Sequence, residues 1–162
     1  MIRPATSADL SPLLDIWNPL IRDTLVTFSS TPKTLTDMEN MLVERGAADQ
    51  AFLVADIAGA PVGFATYGQF RAGIGYAHTV EHTIILGPAA RGQGIGRALL
   101  SAIEAHAQSK GAHSIIAGVS GGNPEGRAFH RAMGYVEAAT IPEAGYKFGQ
   151  WWDLLLMQKF LT

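Results

Sequence analysis

The segment Arg91-Gly92-Gln93-Gly94-Ile95-Gly96-Arg97 sets three glycines at alternating positions between two arginines, and an apolar pattern of helical spacing follows it. A helix start has unbonded backbone N–H groups and the positive end of the helix dipole. Glycines let a phosphate approach those N–H groups closely, and the arginines add charge and donors. Phosphate binding is the chemistry this run can do; a flexible strand-to-helix turn is the plainer alternative. The spacing is G-x-G-x-G, with no Lys-Ser/Thr pair after it, so it matches neither the dinucleotide fingerprint nor the P-loop.

Other residues here carry proton chemistry. In TVEHTIIL, 79 to 86, the β-branched residues predict a strand, on which Thr79, Glu81 and Thr83 share one face and Val80, His82 and Ile84 the other. A carboxylate in mid-strand must be paired, solvated or functional, so Glu81 is either a general base or half of an ion pair. His82, on the opposite face, is expected to be a structural residue with a satisfied ring, out of reach of any ligand that Glu81 touches. His78 is four residues from His82, ~13 Å along a strand, too far to share a metal ion. His130, in FHRAMGY, is either a proton donor or a helix-face histidine. Gly118-Val119-Ser120-Gly121-Gly122 is a literal G-x-S-x-G, the nucleophile-elbow pattern. His130 follows it by only ten residues, which fits the order of a serine hydrolase triad poorly.

The elements that must position these groups can be read from periodicity. Met1 to Pro4 predicts an edge strand. Ser7 to Leu25 predicts a helix that Pro19 kinks or splits, and Leu35 to Arg45 a second, capped by Thr34 or Thr36 and stopped by Gly46. Ala51 to Ile57 and Pro61 to Phe70 predict strands joined by a turn at Ala58 to Ala60. Gly94 to Lys110 predicts the clearest helix, with Ile95, Ala98, Leu99, Ala102, Ile103 and His106 along one side, ended by Gly111. Ser114 to Val119 predicts a buried strand. Asn123 caps a short helix with Pro124 at its first position, and Gly134 closes it. Tyr135 to Thr140 and Asp153 to Phe160 predict the last strands. This order describes an α+β (mixed α/β) protein, and 162 residues suit a single domain, 1 to 162.

Composition narrows the function. The net charge is −2, without the basic excess of a nucleic-acid binder. With no cysteine there is neither a disulfide nor a thiolate nucleophile. The start MIRPATSADL has no apolar leader core, and no apolar run approaches the ~18 residues of a membrane span. A cytoplasmic protein with no nucleic-acid or membrane partner is expected.

Arg91-Gly92-Gln93-Gly94-Ile95-Gly96 resembles the (Arg/Gln)-x-x-Gly-x-(Gly/Ala) signature of the GNAT superfamily of N-acetyltransferases. More narrowly, IRPAT (2–6), TVEHTIIL (79–86), FHRAMGY (129–135) and YKFGQWWDL (146–154) resemble the phosphinothricin and methionine sulfone/sulfoximine acetyltransferases. The resemblance implies a central, mostly antiparallel twisted sheet of six to seven strands flanked by about four helices. It implies acetyl-coenzyme A as co-substrate and no metal, with the pyrophosphate on residues 91 to 97, the last of them Arg97. The pantetheine arm would pair with the backbone of Ile84, Ile85 and Leu86, and Asn123 would touch the cofactor as well as cap its helix.

In this picture Glu81 takes the proton of a small amine that attacks the thioester directly, and His130 protonates the leaving thiolate. Phe28, Arg71, Tyr76 and Thr79 join Glu81 around the amine, where Arg71 would grip an acidic group unless it is only a solvated loop charge. Relatives tend to carry further arginines where this chain has Gly73 and Ala77. A homodimer is also implied, with Trp151 and Trp152 either in the core or across the interface. The competing functions are a protein or antibiotic N-acetyltransferase, a non-catalytic acyl-coenzyme A sensor, and a serine hydrolase using Ser120.

Overall fold

The computed structural model describes residues 1–162, and its frame is one seven-stranded sheet in the order β1-β2-β3-β4-β5-β7-β6. The strands are β1 (Ile2–Pro4), β2 (Phe52–Ile57), β3 (Ala60–Gln69), β4 (Thr79–Leu86), β5 (Ser114–Ser120), β6 (Val136–Lys147) and β7 (Gln150–Phe160). Only β4 and β5 run parallel; every other neighbouring pair is antiparallel. The helices are α1 (Leu10–Asp23), α2 (Leu35–Ala47), α3 (Ile95–Ser109) and α4 (Pro124–Ala132). The expected architecture is therefore present.

Helix α1 runs unbroken through Pro19, so the expected split does not occur. Its apolar stripe of Leu10, Leu13, Trp17 and Ile21 is buried against Phe52, Val54, Phe64 and Ile85 of the sheet, and that burial outweighs the one backbone bond a proline removes. A 3-10 turn at Ser7–Asp9 replaces the expected first helical turn. There Arg3, of the IRPAT segment, grips Asp9 with its two terminal guanidinium nitrogens at 2.8 Å and Asp56 with Nε at 2.9 Å, tying β1 to the entry of α1. Helix α2 is capped by Thr34, whose hydroxyl accepts from the Asp37 amide while the Asp37 carboxylate accepts from the Thr34 amide. It continues through Gly46, the expected stop, to Ala47.

A second core lies on the other sheet face, where Leu99, Leu100, Ile103 and Ala107 of α3 pack on Ala65, Tyr67, Val80, Ile115 and Ala117. The two faces of β4 thus look at different helices: Ile85 at α1, Val80 at α3. The last hairpin is longer than its apolar pattern suggested. Phe148 and Gly149 both take positive φ, 54° and 72°, and form a two-residue turn of the kind that suits a twisted hairpin.

No helix is long and apolar enough to cross a membrane.

Candidate active site

The site originates in a pairing that stops early. Strands β4 and β5 are registered only at Thr79–Ser114, Val80–Ile115 and Glu81–Ile116. Beyond Glu81, β4 continues to Leu86 bonded only to β3, and β5 continues to Ser120 bonded only to β7. The sheet splays here, and a cleft of about 720 Å³ opens with Glu81 at its vertex. One wall is His82 to Leu86 of β4. The other is Gly118 to Ser120 of β5, with Leu154 behind it. Trp17, Leu20 and Val26 to Ser29 close the α1 side; Asn123, Glu125, Gly126, Phe129 and His130 close the α4 side, and Arg91 and Gly92 stand at the glycine run.

Glu81 forms no ion pair and no side-chain hydrogen bond, which removes its structural alternative. Its Oε2 lies 3.3 Å from the point a side chain on Gly118 would occupy, so the carboxylate reaches across the splay toward β5. Burial raises the Glu81 carboxyl above its ordinary value. A carboxylate without a partner, tuned upward and open to a cleft, is suited to accepting a proton.

The glycine run is built as a cradle. Gly92 and Gly94 take φ of 70° and 72°, the left-handed region that favours glycine, and the space where their side chains would stand is open. Gly94 is the residue preceding α3, so this turn presents the start of a helix and its free N–H groups. Gly96 has another role: a Cβ there would fall 2.8 Å from Leu86 Cδ1 and 3.3 Å from Phe129, so it allows α3 to pack closely. Of the predicted cofactor residues, Ile84, Ile85, Leu86, Arg91, Gly92 and Asn123 line the cleft; Gln93, Gly94, Ile95, Gly96 and Arg97 flank it without lining it. The unpaired β4 edge, the open glycine turn and the helix start together fit a long ligand that carries phosphates at one end.

His82 departs from the expectation that it is satisfied and out of reach of what Glu81 touches. Although Glu81 and His82 point to opposite faces, both line the cleft, because the splay opens it through the sheet. The His82 ring is not fully satisfied: Nε2 lies 3.2 Å from His130 Nε2, but the buried Nδ1 has no partner. His130 Nδ1 is 2.7 Å from the Gly126 carbonyl, which can only accept, so Nδ1 carries the hydrogen. A neutral His130 then has a bare Nε2, and His82 must be the donor across the 3.2 Å contact. Burial lowers the His82 ring to about 3 and pushes His130 below its ordinary value as well, so both are neutral near pH 7. A hydrogen-bonded chain continues from Gly126, whose amide donates to Asn123 Oδ1 at 3.0 Å. The Asn123 oxygen thus caps α4.

Three predicted acceptor residues lie outside the cleft lining. Arg71 and Tyr76 are exposed in the loop before β4, with the guanidinium 5.7 Å from the Tyr76 ring centre, and Thr79 sits at the closed end of the splay opposite Ser114. Phe28 does line it. Ser120 is buried and accepts from the Gly122 amide at 3.1 Å, while both ring nitrogens of His130 are engaged elsewhere; the serine hydrolase arrangement is absent. Lys147, which sequence reasoning passed over, is buried behind the α1 wall. Its only signal was a lysine inside an otherwise aromatic hairpin.

A mixed sheet splayed between two parallel strands, with a glycine cradle at one end and a free carboxylate at the vertex, defines an acyl-coenzyme A-dependent acyltransferase. The chain belongs to the acetyltransferase (GNAT) family, whose model matches residues 14–135. It is 35% identical to the L-methionine sulfoximine/L-methionine sulfone acetyltransferase of Pseudomonas aeruginosa, over 97% of this chain and 92% of that one. A ribosomal-protein-alanine N-acetyltransferase from Brucella melitensis superposes with a TM-score of 0.94 at 40% identity, covering 99% of both chains. An acetyltransferase from Salmonella typhimurium, solved with its cofactor acetyl-coenzyme A, superposes with a TM-score of 0.95 at 31% identity, over all of this chain and 94% of that one. The protein is an acetyl-coenzyme A-dependent N-acetyltransferase.

Proposed function

We propose that the acceptor is the α-amino group of a free amino acid or a close analogue, of the methionine sulfone, methionine sulfoximine or phosphinothricin kind. The observation that carries this reading is Glu81, unpaired at the vertex of the splay between an α1-side pocket and the β4 edge. The likeness to a relative that acetylates methionine sulfoximine supports the substrate class.

In the reaction, the carboxylate of Glu81 takes a proton from the bound ammonium, directly or through one water, and the freed amine attacks the thioester carbonyl. A carbon–nitrogen bond forms, the carbon–sulfur bond breaks, and the second nitrogen proton passes to bulk solvent through the open cleft as the thiolate leaves. The backbone N–H groups of Ile84 and Leu86, which β3 does not use, are the donors available to the carbonyl oxygen as it gains charge. His130 has no proton to give in the arrangement described, since its one N–H is held by Gly126 and its bare nitrogen by His82. The sulfur therefore departs as thiolate, and the histidine pair shapes the α4 wall.

Arg71 forms no ion pair and stands in the loop that leads into β4, eight residues before Thr79 and ten before Glu81. It is the cation proposed to meet the acceptor's carboxylate or its sulfone or phosphinate oxygen. A homodimer belongs to the same reading, supported by the exposed Trp151, 62% accessible and packed 4.7 Å from Tyr146.

Thiol release from acetyl-coenzyme A tests the proposal, using methionine sulfone, methionine sulfoximine, phosphinothricin, the ordinary amino acids and a blank without amine. Release that depends on one of these amines is expected. Release only with a polypeptide amine, or none above the blank, would overturn it.

A further inference from the structure

The two halves of the splayed sheet are joined a second time, outside the sheet. Strand β5 ends its pairing at Ser120–Leu154, and the β6–β7 hairpin projects beyond that point from Gly145–Trp152 to its turn. This projection meets the C-terminal end of α1, which packs on β3 and β4. Lys147 makes the junction. It is 2% exposed, and its ammonium donates to the carbonyls of Ile21 at 2.6 Å, Thr24 at 2.6 Å and Thr27 at 2.8 Å. All three of its hydrogens are matched, on residues 120 to 126 positions away in sequence.

Two of the carbonyls it holds, Thr24 and Thr27, belong to the segment 24 to 29 that closes the cleft, and the third, Ile21, to the last turn of α1. Val26, Thr27, Phe28 and Ser29 line the α1 side of the cavity. Phe28 is fixed by a second contact with the same hairpin: a Cβ on Gly145 would fall 2.5 Å from its ring, so the ring lies directly on the glycine backbone. Trp152 completes the junction, donating its indole N–H to the Lys147 carbonyl at 3.0 Å.

We infer that Lys147 is a positioning residue for the acceptor site, holding residues 24 to 29 as a strap across the splay that admits a small free amine and excludes a polypeptide N-terminus. This rests on the reading of the acceptor as an amino acid and deepens it. An ammonium that ties two strap carbonyls to one of α1 holds the strap without using any side chain of it, which leaves Phe28 free to face the acceptor. The absence of a side chain at Gly145 sets how far that ring stands back from the cleft.

The test has an arm that needs no acceptor. Hydrogen exchange at residues 24 to 29 is compared between the wild type and Lys147→Met, which keeps the apolar stem and removes the donors. Exchange there is expected to rise at least about tenfold with α3 and β4 unchanged, as local opening requires; equal exchange overturns the clamp whatever the acceptor is. The kinetic arm uses methionine sulfone and an alanine-initiated tetrapeptide. The wild type acetylates the first and not the second. Lys147→Met raises the KM for methionine sulfone at least about tenfold, the loss expected of a displaced binding wall, and leaves the Kd of acetyl-coenzyme A within about twofold.

Gly145→Ala, whose added methyl presses first on the Phe28 ring, is the second variant should Lys147→Met fail to fold, and it too raises the KM. Unchanged KM in both variants overturns the positioning role. Tetrapeptide acetylation by the wild type at a comparable kcat/KM overturns the exclusion. Normal exchange behaviour with no amino acid acetylated at all would instead remove the reading of the acceptor beneath it.

Discussion

His82 on β4 and His130 on α4 meet at their Nε2 atoms, 3.2 Å apart, and the Gly126 carbonyl beside His130 Nδ1 decides which of them donates. Their ring planes differ by only 23°, with centroids 5.1 Å apart. With both rings neutral, this contact makes His130 an acceptor. His130→Gln is expected to lower kcat by less than about tenfold, well short of the 10²–10⁴ of a lost general acid. A larger loss, accompanied by disappearance of a basic limb from the pH profile, would return His130 to the role of acid.

The same pair makes stability depend on pH. The His82 ring is held at about 3 in the folded chain and returns to its ordinary 6.5 on unfolding. Between those values the unfolded chain binds a proton that the folded chain does not, so stability falls as pH falls from 6.5 toward 3. The slope from this residue is at most about 1.4 kcal/mol per pH unit. His82→Gln keeps a donor for His130 and cannot titrate. Urea unfolding at pH 7 and pH 5 is expected to show a smaller loss for this variant than for the wild type.

Glu81→Gln is expected to lower kcat about 10²- to 10⁴-fold, the usual range for a general base, with the Kd of acetyl-coenzyme A nearly intact. Because burial raises the Glu81 carboxyl, the acid limb of the wild-type kcat/KM profile should lie above the ordinary carboxylate range. Activity is present with the carboxylate ionised and is lost as pH falls through that raised value. The limb disappears in the variant. Wild-type turnover in Glu81→Gln would remove it as the base.

The cradle is tested at Gly94. Its φ of 72° strains any side chain, and the open space beside it is what a phosphate requires. Gly94→Val should lose about 1–2 kcal/mol of stability from backbone strain, and acetyl-coenzyme A affinity by titration calorimetry should fall at least about tenfold as well. Gly59→Val, at φ 82° in the β2–β3 turn, is the control: similar strain, unchanged affinity. Normal affinity in the Gly94 variant would refute the cradle.

Arg71→Ala should raise the acceptor KM while leaving kcat at saturation and the acetyl-coenzyme A Kd unchanged, the signature of lost uniform binding. Arg71 stands outside the cleft lining, so an unchanged KM would leave it as a loop charge stacked near Tyr76.

Much of this protein follows from local chain properties. Residues 91 to 97 announce a strand-to-helix turn because glycine alone takes left-handed φ without strain, and the apolar spacing after Gly94 can only be a helix facing a sheet. The Asn123–Pro124 start of α4 and the Thr34–Asp37 capping box are equally local. Alternation along TVEHTIIL places Glu81 and His82 on opposite faces, correctly. The length over which two strands pair is not a local property. Both β4 and β5 read as apolar strands to their ends, and nothing in either pattern marks the point after Glu81 and Ile116 where they part. That parting lets residues of opposite faces share one cleft, joins His82 to His130 across 48 positions, and leaves a gap that Lys147 spans from over 120 residues away. Spacing and residue type determined which groups this protein possesses; only the tertiary structure decided which of them meet, because those contacts depend on strand register and packing between segments far apart in the chain.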